Sequence, residues 1–257
     1  MFPIVEKKIL KKMDFLSDQK GIIRRFEREE KNWIPHLENT KNKITKSIGG
    51  KNNKCVIVLG SGWCLDVPLH DLSQNFETVH LVDIFHPSHI QKEVQKFSNV
   101  KLIEADITNG LIEKAFYFVQ KNKKATTFDF NELLSIPKID ISDYDFIVSV
   151  NILNQLDILI VDYLQKYLKI SSENIENTRR FIQNYHIEMM PAKKSLLISD
   201  FEEILFDKKD IERSRKKLIY SNLFNPEVGE KWIWKFDTKK MYNTNYKTYF
   251  NVIAIDL

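Results

Sequence analysis

The chain has 257 residues, 43% of them hydrophobic and 12% aromatic, enough to bury one substantial core. Its 39 basic and 35 acidic side chains leave a formal charge of +4 spread along the sequence, without the clustered basic footprint of a nucleic-acid binder. No run approaches the roughly eighteen apolar residues of a membrane span, and MFPIVEKKILKKMDFL lacks the uninterrupted apolar stretch of a secretory signal. The expectation is therefore a cytoplasmic protein, with Cys55 and Cys64 as reduced thiols that have no metal-ligand company.

In chain order, Phe26, Trp33, Leu37, Ile44 and Ile48 follow spacings of seven, four, seven and four. That is an amphipathic helical stripe, with a break or kink expected near Pro35. Residues 1–53 accordingly read as a helical cap, and residues 54–257 as the main domain. From Lys54 the period changes. The short apolar runs CVIVL, VHLVD, VKLIEAD, YDFIVSV and SLLIS read as buried strands. Between them lie helical segments such as HPSHIQKEVQKF, GLIEKAFYFVQKN and LDILIVDYLQKYL. Ala125 to Asp143 reads as an irregular connection.

Alternating strands and helices imply a doubly wound α/β sheet, mostly parallel, with helices on both faces. After SLLIS a charged helical stretch is expected, in which the run RSRKK (Arg213 to Lys217) forms a solvated face. KWIWKF and YFNVIAIDL then follow with no helix between them, so they should pair antiparallel.

The stretch VIVLGSGWCLD carries the chemistry. Four of the seven glycines, Gly49, Gly50, Gly60 and Gly62, fall within fourteen positions, and a glycine turn at a strand end lets a ligand approach the backbone. Asp83 closes the second strand 23 positions after Gly60, where a carboxylate can accept both hydrogens of a ribose diol. Asp106, at the end of the third, is placed for the exocyclic amine of an adenine. Together they describe an adenosine site. A dinucleotide fingerprint would want glycine at Leu65, so NAD is disfavoured.

These residues resemble the class I S-adenosylmethionine-dependent methyltransferases over roughly Lys54 to Leu257. VLGSGWCLD resembles that family's glycine-rich motif, LVDIF its ribose-binding acid, EADIT its adenine-binding acid and DFIVSVNILNQL its fourth motif. KWIWKF with YFNVIAIDL resembles its closing hairpin. The resemblance implies a Rossmann-like, seven-stranded sheet ending in an antiparallel hairpin, and S-adenosylmethionine as cofactor. It implies cofactor contacts from Gly60, Ser61, Gly62, Asp83, Ile84, Asp106, Ile107 and Asn151. The sequence departs from the family at Val58, where an acid is usual, and at Trp63 and Cys64, where a third small residue often stands.

The function expected is methyl transfer to a small molecule or a protein side chain, with no metal and no membrane, and with nothing that supports nucleic acid as a partner. The N-P-P-Y type of motif associated with amino methylation of bases is absent from SVNILNQL. Asn151 and Asn154 follow the fourth strand, near the transferring group or as helix caps. His36 is the candidate general base, needed only if the acceptor must lose a proton. His86 and His89 form an H-x-x-H without a third ligand. Trp33 reads as core packing. Two alternatives stay open: transfer of a different group from the same cofactor, such as its aminocarboxypropyl group, and a cofactor-binding interaction module without catalysis.

Overall fold

The computed structural model describes residues 2–49, 54–125 and 127–257; Gly50, one of the four clustered glycines, lies outside them. Seven helices and eight strands are described: α1 Lys7–Lys12, α2 Phe15–Ile48, β1 Cys55–Leu59, α3 Leu69–Asn75, β2 Thr78–Asp83, α4 Ser88–Val94, β3 Val100–Glu104, α5 Leu111–Asn122, β4 Phe146–Val150, α6 Ile158–Tyr167, α7 Ser172–Glu188, β5 Ser195–Phe206, β6 Glu212–Lys217, β7 Glu230–Asp237 and β8 Lys247–Asp256. None of the helices is long and apolar enough to cross a membrane.

The strands form one sheet in the order β3-β2-β1-β4-β5-β8-β7, with β6 paired to β5 off this path. β1 to β5 are parallel, while β8 runs antiparallel to both β5 and β7. The doubly wound, mostly parallel sheet closing in an antiparallel pair is what the alternating pattern and the family resemblance implied.

The pleat of β1 sorts the core into two layers, since alternate side chains leave a strand on opposite faces. Ile57 and Leu59 pack with α1, α5, α6 and α7. Val56 and Val58 pack with α2, α3, α4 and the aromatic residues of β7. The N-terminal segment serves both layers. Phe2, Val5, Ile9 and Met13 are buried in the first, and Trp33, Leu37, Ile44 and Ile48 in the second.

Three expectations need correcting. The charged stretch after SLLIS is not helical: β5 continues to Phe206 and turns back as β6, so RSRKK lies on an exposed strand. The register sets Glu202 opposite Lys217 and Glu203 opposite Lys216, and opposite charges facing across antiparallel strands favour the pair. Helical charge patterning alone does not register that long-range match. The sheet consequently has eight strands, not seven.

The bend in α2 falls at Glu29, with φ −112° and ψ 16°, six residues before Pro35. The Glu29 carboxylate is buried and accepts from Asn32 Nδ2 at 2.9 Å, Thr238 Oγ1 at 2.8 Å and the Lys239 amide at 3.0 Å. These contacts with the β7–β8 connection tie α2 down at its bend. Of the connection expected to be irregular, residues 127–143 are irregular apart from one 3-10 turn, Phe130–Glu132, and are packed: Phe130, Leu133 and Ile141 are buried.

Candidate functional site

The carboxyl ends of the parallel strands open into a cavity of about 260 Å³. In an open α/β sheet that edge is where ligands lie. The strand order lays chemical groups along it in a row: Asp106 beyond β3, Asp83 on β2, the Gly60–Gly62 turn beyond β1, Asn151 beyond β4 and Asp200 on β5. α2 closes one side, presenting Gln19, Arg25, Trp33 and His36 to the same space.

Both glycines of the turn are required by geometry. Gly60 has φ +89°, and a Cβ there would lie 2.7 Å from both Ile152 Cβ and the Val150 carbonyl oxygen. The turn therefore passes hard against the end of β4. A Cβ on Gly62 would lie 3.2 Å from Asp83 Oδ2, so the bare backbone lets the turn close onto the acid.

Asp83 is 3% exposed. Its Oδ2 accepts the Gly62 amide at 2.9 Å, and its Oδ1 accepts the Ile84 amide at 2.7 Å and Gln19 Nε2 at 3.3 Å. Burial still pushes its pKa up to about 7, because these donors only partly replace the water lost.

Asp106 is equally buried but otherwise engaged. Oδ1 accepts from the amide and hydroxyl of Thr108, and Oδ2 from the amides of Gly110 and Ile112. It caps α5, which the sequence reading had not assigned to it, while still lining the cavity with Ile107 and Ile84. Its own amide donates to the Pro3 carbonyl at 2.8 Å, so the N-terminal residues hold the strand end in place.

His36 lies against the site but is not a base. It is 1% exposed and stacks flat on Trp234, ring centroids 4.0 Å apart. The indole N–H of Trp232 donates to His36 Nδ1 at 3.0 Å. An indole can only donate, so Nδ1 is the acceptor in that bond; Nε2 lies 3.2 Å from Asn151 Nδ2. Trp232 occupies the Nδ1 lone pair, and burial depresses the pKa to about 3. Burial, stacking on Trp234 and the bond from Trp232 argue against the general-base role expected of His36.

The two asparagines after β4 orient acids. Asn151, in the left-handed region at φ 48°, donates to Asp66 Oδ2 at 2.6 Å. Asn154 donates to Asp200 Oδ2 at 2.8 Å. Asp200 sits where the β5–β8 register shifts, between Asp200 and Glu202, and such a bulge re-aims a side chain. It is 3% exposed, and burial raises its pKa to about 7. Sequence reasoning missed Asp200. The signal was present, an acid closing the apolar run SLLIS as Asp83 closes VHLV.

The remaining singled-out residues disperse. Ser61 lines the cavity and pairs through Oγ with His86 Nε2 at 2.9 Å. His89 stands against Trp63, centroids 4.9 Å apart, so the two histidines face different partners. Among the described residues, no group of three His, Cys, Asp or Glu side chains is arranged to hold a metal ion. Trp33 is core and cavity wall at once, its indole donating to the Phe236 carbonyl at 2.8 Å.

No protein-family model matches the sequence, and no curated relative is found. Solved structures with a similar arrangement include the N-methyltransferase NodS from Bradyrhizobium japonicum WM9, at 11% identity over 89% of this chain and 94% of that one, TM-score 0.40. A DhpI complex with SAH is 10% identical over 98% of each chain, TM-score 0.41. Phosphoethanolamine N-methyltransferase 1 of Haemonchus contortus is 10% identical over 86% of this chain and 43% of that one, TM-score 0.36.

Proposed function

We propose that the protein is an S-adenosylmethionine-dependent methyltransferase acting on a small molecule or a protein side chain. One observation carries the reading: a buried carboxylate at the end of β2, Asp83, is bonded to the Gly62 amide of the β1 turn and faces a cavity along the ligand-binding edge of the sheet.

The cavity fits the cofactor by its donor and acceptor set. Buried side-chain oxygens of Gln19 and Asn151 on its walls have no hydrogen-bond partner, and buried acceptors call for donors. A ligand bearing a ribose diol, an exocyclic amine and an α-ammonium supplies them. Asp83 would hold the ribose hydroxyls, Gly60, Ser61 and Gly62 would pass the backbone close to the ligand, and Ile84 and Ile107 would flank an adenine. Asp106 would act mainly by fixing the start of α5.

When bound, the cofactor supplies a carbon activated by the adjacent sulfonium charge. The chain's residues then need to align the acceptor and exclude water. α2 and the aromatic side chains of β7 wall the cavity on the side of β4 and β5, beyond the adenosine end of the row. Calorimetry tests the reading: S-adenosylmethionine and S-adenosylhomocysteine should bind and NAD should not. Absence of binding by both sulfur compounds overturns it.

A further inference from the structure

The β5 end of the cavity is built differently from the adenosine end. Asp200 Oδ1 is buried without a partner, and so is the neighbouring Asn154 Oδ1. Among the described residues no cation pairs with Asp200; the charge that bears on it is another carboxylate, Glu203. The cavity's arginine, Arg25, is turned elsewhere, 3.7 Å from Asp18 and over the Phe236 ring at 5.6 Å. Around this anionic spot stands a wall of rings. Trp234 packs edge-on against Trp33 with centroids 4.7 Å apart, Phe250 lies 4.8 Å from Phe236, and Tyr242 lies 5.0 Å from Phe236. All five rings line the cavity with Asp200.

A buried carboxylate with a free oxygen is costly unless a donor, best a charged one, completes it, and the rings give the apolar body carrying such a donor a surface to pack on. Strand order also separates this spot from the ribose acid. Asp200 is three strands from Asp83, about 14 Å at the usual interstrand spacing.

We infer that the acceptor is an amine carried on an apolar body, bound as its ammonium between Asp200 and the Trp234–Phe236–Phe250 wall, with Asp200 as the group that takes its proton. This rests on the methyltransferase reading for the fate of the amine, but not for its binding. An ammonium nitrogen has no lone pair to give. When Asp200 Oδ1 accepts one proton, the N–H bonding pair stays on nitrogen, which becomes a neutral nucleophile, and the carboxylate becomes a carboxylic acid. Asn154 holds the other oxygen and so sets which one faces the ligand.

Phenethylamine serves as the probe, with phenethyl alcohol and 3-phenylpropionate as its neutral and anionic isosteres. Binding is followed by quenching of tryptophan fluorescence, with and without S-adenosylhomocysteine. On the wild-type protein the amine should bind about tenfold or more tighter than either isostere. Asp200→Asn should abolish that preference while leaving affinity for S-adenosylhomocysteine unchanged. The inference is overturned if the alcohol or the acid binds as well as the amine, if no saturable amine quench is seen, or if Asp200→Asn weakens S-adenosylhomocysteine at an unchanged melting temperature, which would assign Asp200 to the cofactor. The isostere ranking is read on wild-type protein and stands whether or not the variant folds. Amine preference without any S-adenosylhomocysteine binding would uphold the amine site and sink the methyltransferase reading; cofactor binding without amine preference would do the reverse.

Discussion

Replacing Asp83 by Asn should make the empty protein more stable at pH 8 and the cofactor weaker. The carboxyl is 3% exposed, and burial lifts its pKa from 3.8 to about 7. That difference corresponds to about 4 kcal/mol by which the charged form disfavours folding relative to the neutral one. The sign follows from proton linkage: the folded state holds the proton more tightly, so stability falls as pH rises from about 4 to about 7 and then levels. Asn removes the charge but has one acceptor oxygen for the two amides of Gly62 and Ile84, and leaving one unpaired costs about 1–3 kcal/mol. The net gain at pH 8 is about 1–3 kcal/mol, a melting temperature several degrees higher. At pH 4, where the wild-type group is largely protonated when folded, the gain should be gone and the unpaired amide should leave the variant less stable than wild type.

Cofactor affinity should move the other way, because a ribose diol needs both oxygens as acceptors. Asp83→Ala should lower S-adenosylhomocysteine affinity about thirtyfold or more, about 2 kcal/mol, and Asp83→Asn by less. Thermal melts at the two pH values, without and with S-adenosylhomocysteine, read both effects on one sample. A variant that melts lower at pH 8 and binds S-adenosylhomocysteine like wild type would refute the reasoning, leaving Asp83 a structural tie for the glycine turn.

Asp106→Ala should destabilise the protein by about 2 kcal/mol, since the start of α5 loses the acceptor for its amides; melting should show this, with a smaller loss of cofactor affinity than Asp83→Ala. Gly60→Ala should cost about 2 kcal/mol or more, because φ +89° and a Cβ 2.7 Å from the Val150 oxygen cannot both be relieved; denaturant titration checks it. His36→Gln should lower turnover without altering the shape of its pH profile, because a histidine titrating near 3 with its lone pair on Trp232 supplies no limb; disappearance of a limb would restore His36 as a base.

The sequence by itself determined the layers and the turn. Alternating apolar runs and helical stripes dictate a doubly wound sheet because each element must bury one face, and that pattern is local. It also located the glycine turn and the two strand-end acids, since strand, turn and acid follow one another in the chain. What depends on residues far apart in sequence was decided by the tertiary structure. The β5–β6 hairpin rests on Glu202 and Glu203 finding Lys217 and Lys216 across a turn, and a basic run gives no sign of its partner. The role of His36 was set by Trp232, 196 positions away, which occupies its lone pair. Asp106 became a helix cap because three donors of its own loop and one of the first turn of α5 reach it. Asp200, silent in the sequence beyond its place at a strand end, stands out because the bulge in β5 and the fold of α2 against β7 bury one of its oxygens with no donor among the described residues beside it.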